Sequence, residues 1–111
     1  MTIDFNDWEK VSIHSGTVLK VEDFPRAKKS AYKVWVDFGN ELGIKKTSAQ
    51  ITANYPKEQL LGKIVLGVIN LPPKNIAGFS SEFLLLGVSD LKENIVLLTT
   101  DQKVPNGQKA C

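Results

Sequence analysis

Two segments near the start of the chain alternate between apolar and polar residues. In residues 32–38 the even positions are aromatic or β-branched, whereas Lys33, Trp35 and Asp37 occupy the other face. In residues 11–21 the odd positions are mostly apolar. A period of two residues predicts half-buried strands, and both segments are long enough to curve.

The second of these patterns carries a more detailed expectation. Its apolar odd positions include Leu19 and Val21, which the alternation therefore places on the inner face of the strand. Gly16 lies in the middle of the segment and is a predicted bend.

Three short apolar runs rich in branched residues follow, at residues 64–69, 83–88 and 95–100. Turn signals bound each run, so we interpret them as buried strands. Gly67 and Gly87 are candidate bulges or corners within them.

Helix signals are few. Asp4 can cap a short N-terminal helix with Asp7 three residues later. Residues at helical spacing then form an apolar stripe: Phe5, Trp8 and Val11. A second short helix is predicted in residues 48–55 or in residues 57–61, before Gly62.

Five or more strands with short N-terminal and central helices predict an all-β fold, a Greek-key barrel, and the five-stranded OB-fold fits best. Residues 1–111 are predicted to form a single domain. In an OB-fold, ligands lie across the second and third strands, between the loops that join strands 1 to 2 and strands 4 to 5. Those loops correspond to the basic residues 24–31 and to residues 70–82.

The loop at residues 70–82 is longer than a chain reversal requires and carries two prolines, Gly78 and several hydrogen-bonding side chains. These features suggest a binding surface. In the alternative interpretation the loop is a structured crossover whose Ile76 and Phe79 simply plug the core.

Charge is unevenly distributed along the chain. The net charge is +2, yet residues 24–81 hold nine basic groups against three acidic ones, and both ends are acidic. This pattern is expected if one face meets an anion, although solvated lysines on different sides would give it too. No apolar run reaches the roughly 20 residues of a membrane helix. The acidic start lacks the features of a signal peptide, so we expect a cytoplasmic protein that does not insert into membranes.

Catalytic chemistry is difficult to assemble from these residues. His14 is the only histidine and lies in a predicted strand, Cys111 is the only cysteine, and no phosphate-loop or nucleophile-elbow motif occurs. We therefore expect no enzyme activity, no metal and no cofactor.

Binding is easier to support. Lys33 and Trp35 share the outer face of one strand, and Lys45 and Lys46 begin another, so charge for phosphates lies beside an aromatic face for a base. Directional hydrogen bonds could come from Ser48, Gln50, Asn75 and Ser81. Alternatively, Trp35 is buried at a subunit contact or beneath a loop, and Ser48 and Gln50 begin a helix.

Five segments carry a recognisable pattern in order along the chain: residues 37–39, 43–51, 70–79, 81–82 and 104–107. Together they resemble the CsaA type of the tRNA-binding domain family, whose relatives include domains of methionyl-tRNA synthetases and the endothelial monocyte-activating polypeptide. The resemblance implies an OB-fold homodimer that binds tRNA and is not an enzyme. It also implies a chaperone role in protein export, in which the dimer holds unfolded or precursor polypeptides.

By position, the resemblance and the strand pattern together assign a set of RNA-binding residues: Lys33, Trp35, Lys45, Lys46, Ser48, Gln50, Lys74, Asn75, Ser81 and Glu82. Relatives often carry basic residues where this chain has Asn75 and Ser80, and an Asp-x-Arg pattern where it reads Ser12-Ile-His14. Fewer positive charges predict weaker RNA binding with a flatter salt dependence.

The remaining assignments concern protein contacts. Ile76 and Phe79 are predicted to line a polypeptide-binding groove, and the stripe of Phe5, Trp8 and Val11 is predicted to form the dimer interface. In the alternative, that stripe packs on its own barrel. An alternative function is a polypeptide-holding chaperone with little or no physiological tRNA binding.

Overall fold

The structure, a computed structural model, describes residues 1–111. The two helices are α1 (Phe5–Glu9) and α2 (Lys57–Leu60). The strands in chain order are β1 (Ile13–Asp23), β2 (Tyr32–Asp37), β3 (Ile44–Ala49), β4 (Ile64–Val68), β5 (Lys74–Ile76), β6 (Phe79–Ser81), β7 (Leu84–Leu85), β8 (Gly87–Ser89) and β9 (Ile95–Leu97). Five of them form one sheet in the order β3-β2-β1-β4-β7, and β5–β6 and β8–β9 are separate hairpins.

The five-stranded sheet curls until its end strands, β3 and β7, meet. The backbone N–H of Glu82 donates to the carbonyl of Lys46 at 2.8 Å, and the Thr47 hydroxyl donates to the carbonyl of Phe83 at 2.7 Å. Every neighbouring pair in the sheet is antiparallel, so β3 and β7 run in the same direction. The result is a nearly closed five-stranded barrel, which confirms the predicted all-β barrel architecture.

The barrel interior is filled by the residues that the alternation in β2 predicts. Val34 and Val36 are fully buried and Phe38 is 1% exposed. The central helix adds Leu60, which is also fully buried. Burying one such side chain stabilises the fold by about 1.5–3 kcal/mol, so the core of the barrel depends on this row.

Strand β1 departs from simple alternation. Its pairing with β2 shifts register between Val18 and Lys20, which leaves Leu19 as the extra residue of a bulge. Leu19 is consequently 47% exposed, while Val18 is 2% exposed and faces the core. The prediction that Leu19 lies on the inner face is therefore wrong.

Gly67 in β4 lies where two aromatic rings cross. The rings of Phe38 and Phe83 pack edge to face with centroids 5.0 Å apart. A Cβ at Gly67 would lie 2.8 Å from Phe83 Cδ2 and 3.0 Å from Phe38 Cζ, so a side chain there would displace this pair.

Residues 70–82 are more regular than the sequence predicts. They contain the hairpin β5–β6, whose two-residue turn has positive φ at both Ala77 (49°) and Gly78 (84°), as in a type I′ turn. The side chain of Asn75 accepts a hydrogen bond from the Gly78 N–H at 3.0 Å. The predicted helix at 48–55 is wrong because β3 extends to Ala49, and the alternative at 57–61 corresponds to α2.

The C-terminal segment pairs with the first residues of β1, which lie beyond the end of its pairing with β2. Gly107 and Ala110 donate backbone hydrogen bonds to Ser15 and Ile13. His14 Nδ1 donates to the carbonyl of Gly107 at 2.9 Å. The only histidine therefore fastens the chain end to the barrel.

Helix α1 begins as predicted, because the Asp4 side chain accepts from the Asp7 N–H at 2.9 Å. None of its residues is buried, and Phe5 is 80% exposed. Trp8 and Val11 are partly exposed. The alternative in which the stripe packs on its own barrel therefore fails for Phe5. Neither helix has the length and apolar character needed to cross a membrane.

Candidate binding surface

The outer face of β1, β2 and β3 carries charged, polar and aromatic side chains in rows that cross the strands. Trp35 lies between Lys20 and Lys46 across the strands. In the next row Lys33 lies between Glu22 and Ser48. The register therefore brings the predicted residues Lys33, Trp35, Lys46 and Ser48 onto one face.

Lys45 does not share this face. It is the second residue of β3, in which successive side chains point to opposite faces of the sheet, and it pairs with the buried Val36. Its side chain consequently shares a face with Thr47, which is 1% exposed. The prediction that Lys45 and Lys46 line one surface is wrong for this geometric reason.

The hairpin β5–β6 places Phe79 against the outer face. Its ring packs edge to face on Phe24, with centroids 5.5 Å apart, and on Trp35, with centroids 6.0 Å apart. Phe79 is only 9% exposed and anchors the hairpin in a small cluster on the outer face, so it does not plug the barrel core as the alternative interpretation of this loop predicts. Trp35 is partly buried in the same cluster.

Lysine ammonium groups lie over these rings. Lys33 Nζ is 5.0 Å from the centroid of Phe24 and 5.1 Å from that of Phe79, and Lys46 Nζ is 5.1 Å from the Phe79 centroid. Lys20 Nζ lies 4.6 Å from the Trp35 ring. Such cation–π contacts hold a side chain without neutralising its charge. Neither Lys33 nor Lys46 forms a salt bridge, so both remain available to an anion.

A groove of about 870 Å³ lies beside this face, between β3, the hairpin β5–β6, the β1–β2 loop and the segment that includes β7. Its basic side chains are Arg26, Lys28, Lys29 and Lys74, and no acidic residue lines it. Four further predicted site residues also line it: Ser48, Gln50, Ile76 and Ser81. Phe79 does not.

Two predicted RNA-binding residues have structural partners in the barrel. The Glu82 carboxylate accepts from the Lys46 N–H at 2.9 Å, and the Ser81 hydroxyl bonds to that of Thr47 at 2.8 Å. Ser81 Oγ also accepts from the Ser48 N–H at 3.3 Å. These side chains close the seam between β3 and β7, where no continuous backbone ladder forms.

The sequence did not single out some residues of this surface. The basic loop at residues 24–31 is predicted to flank the ligand, and the structure adds which of its cations line the groove: Arg26, Lys28 and Lys29. Lys20 lies on the outer face that the alternation in β1 predicts, but only its pairing with Trp35 shows that it belongs to this surface.

Known proteins share this fold and much of this sequence. The family model described as "Putative tRNA binding domain" matches residues 13–109. The solved CsaA chaperone of Bacillus anthracis is 40% identical with a TM-score of 0.93, covering 100% of both chains. That of Picrophilus torridus is 44% identical with a TM-score of 0.92, covering 99% of this chain and 100% of its own.

Longer proteins match as well. A methionine–tRNA ligase of Methanocaldococcus jannaschii is 36% identical over 107 residues, which are 96% of this chain. The chain spans only 16% of that ligase's length. The similarity therefore concerns one segment of the ligase.

Proposed function

The chain belongs to the tRNA-binding domain family that includes the CsaA chaperones, and from this membership we propose that it binds tRNA without catalysing a reaction. The observation that supports this most directly is the pair Lys33 and Lys46. Both ammonium groups lie over one aromatic ring and have no carboxylate partner. Phosphate groups of a folded RNA satisfy such cations, with Lys74 and the β1–β2 loop extending the contact.

Titration with bulk tRNA at several salt concentrations tests the proposal. Changing both Lys33 and Lys46 to Gln should weaken binding. It should also reduce the slope of log binding constant against log salt concentration by roughly 0.7–0.9 per lost phosphate contact. Lys92→Gln removes one positive charge at an exposed position in the β8–β9 turn, away from this surface, and is the control for each single Lys→Gln change; it should leave the slope unchanged. Absence of tRNA binding by the unmodified protein at low salt would refute the proposal.

A second function, the holding of unfolded polypeptide, is favoured by the groove. Its lining combines Leu84, which is 49% exposed, with Ile76 and Leu85, so apolar side chains of a client could bury surface there. The two solved relatives that are named as chaperones cover 99–100% of this chain.

Suppression of the aggregation of an unfolded client measures this activity. Leu84→Ser should reduce the suppression because it removes an exposed apolar group from the groove. Leu91→Ser is the matched control, since Leu91 is fully exposed and lies outside the groove. Equal loss in both variants, or no loss in either, would contradict the assignment of the groove.

The assembly and the cellular role belong to the same proposal. A homodimer that covers Phe5, Trp8 and Val11 would remove the exposed stripe of α1 from water. Such a dimer would present two basic faces, which suits a folded RNA or a long client. We place the protein in the cytoplasm, as a chaperone for polypeptides of the export pathway.

A further inference from the structure

The groove is bordered by two strand edges. Five consecutive residues on one side, 47–51, and five on the other, 83–87, line it. Successive side chains of a strand point to opposite faces, so a cavity on one face would touch only every second residue. A cavity that touches every residue of a run therefore lies along the edge of that strand. The groove is therefore the place where β3 and the segment that leads into β7 diverge, beyond the hydrogen bonds that Lys46, Thr47 and Ser48 make across the seam.

Backbone groups of the β3 edge face this gap. Lys46 bonds to Glu82 on the side away from β2, and alternation along an antiparallel strand turns Ser48 and Gln50 to that side too. The N–H of Ser48 is satisfied by the Ser81 hydroxyl, but its carbonyl has only a 3.4 Å contact from Thr47. The N–H and carbonyl of Gln50 have no protein partner.

The volume of the groove suits an extended chain. Strands rise about 3.3 Å per residue, lie about 4.8 Å apart and pack in layers about 10 Å apart, so one residue occupies roughly 160 Å³. A groove of about 870 Å³ thus accommodates about five extended residues. That length equals the five residues of each bordering edge.

Charge and lining restrict the chemistry of the occupant. Four basic side chains line the groove without any acidic one, and none of the four forms a salt bridge. Phe83 is the only aromatic residue of the lining and is 4% exposed. Nucleic-acid bases need an open aromatic face to stack on, so the lining favours an acidic polypeptide over single-stranded RNA.

We propose that an extended polypeptide segment with acidic side chains binds in this groove by adding a strand to the free edge of β3. Its backbone pairs with the carbonyl of Ser48 and with both backbone groups of Gln50, while its apolar side chains meet Leu84 and Ile76. Its acidic side chains meet the basic rim. The inference rests on the proposed holding function and specifies how a client is held.

A labelled eight-residue peptide of alternating Leu and Glu tests the pairing by fluorescence anisotropy. The control peptide has the same sequence with alternate backbone amides N-methylated on the edge that would face β3. We expect the methylated peptide to bind at least about tenfold more weakly, because it lacks the two N–H donors that would pair with the carbonyls of Ser48 and Gln50. A second control with Lys in place of Glu tests the charge and should also bind more weakly.

Amide hydrogen exchange gives an independent readout that needs no variant. Saturating peptide should slow exchange of the Gln50 N–H by at least about tenfold, whereas exposed amides in the β8–β9 turn should not change. Gln50→Pro removes that donor and also restricts the backbone at residues 49 and 50, so it should weaken binding, whereas Gln50→Ala keeps the donor and should bind more tightly than the Pro variant.

The outcomes separate the two proposals. Equal binding of the methylated and unmethylated peptides, with no protection of Gln50, would overturn strand addition while leaving client holding intact. If no peptide binds and the groove variant Leu84→Ser holds clients normally, the holding function of the groove fails as well. A third outcome would overturn the choice of ligand. In it, no peptide binds, an eight-nucleotide RNA does bind, and Leu84→Ser weakens the binding of that RNA.

Discussion

At the scale of single residues, Asp90 organises the turn between β8 and β9. Its carboxylate accepts hydrogen bonds from the N–H groups of Lys92 at 2.8 Å and Asn94 at 3.0 Å, and from the Asn54 side chain at 3.1 Å. The Asn94 N–H has the largest effect, and together these donors hold the pKa of the Asp90 carboxyl below its usual range. The charged form is therefore favoured in the folded state.

Asp90→Asn should change how stability depends on pH. A carboxyl whose pKa is lowered by folding stabilises the protein above its unfolded pKa of about 3.9, and this contribution is lost as the pH falls through the folded pKa. The parent should therefore exceed the variant in Tm near neutral pH, and the difference should shrink below about pH 4. Thermal unfolding followed by circular dichroism at several pH values measures this. A constant difference at every pH would contradict it.

At the scale of elements, the hairpin β5–β6 holds an alanine in an unfavourable conformation. Ala77 has a φ of 49° at the first central position of the turn, where type I′ turns favour Asn followed by Gly. Gly78 already supplies the second position. The hairpin that carries Phe79 and Lys74 to the binding surface is thus not optimised for stability.

Ala77→Asn should stabilise the protein by about 0.5–1 kcal/mol, because Asn adopts positive φ more readily than Ala. Ala77→Val should have the opposite effect, since a β-branched residue resists this conformation. Denaturant unfolding gives both changes in free energy, and amide exchange in β5 and β6 should follow the same order. A less stable Asn variant would refute the turn assignment.

At the scale of the whole molecule, a single chain leaves the apolar stripe at α1 in contact with water, and Phe5 is its most exposed residue. For the homodimer proposed above, Phe5→Asp should shift the protein from dimer to monomer in light scattering, because a buried unpaired charge opposes association. Leu91→Asp introduces the same charge at another exposed apolar position and is the control. If Leu91→Asp dissociates the dimer and Phe5→Asp does not, the interface lies elsewhere.

Several features of the fold follow from the sequence alone, because they depend on local periodicity. The alternation in residues 32–38 specifies the inner row of β2, and Asp4 specifies the start of α1. The barrel architecture follows from the number of short strands and turn signals. The basic character of the binding surface follows from composition, since nine of the cationic groups lie in residues 24–81.

Only the tertiary structure decided which of these residues act together. The bulge at Leu19 places Val18 in the core instead of Leu19, and strand alternation separates Lys45 from Lys46. Burial of Phe79 and the use of Glu82 in the seam depend on contacts between segments that are distant in the sequence. Periodicity describes one strand at a time, whereas a binding surface is set by register and packing between strands.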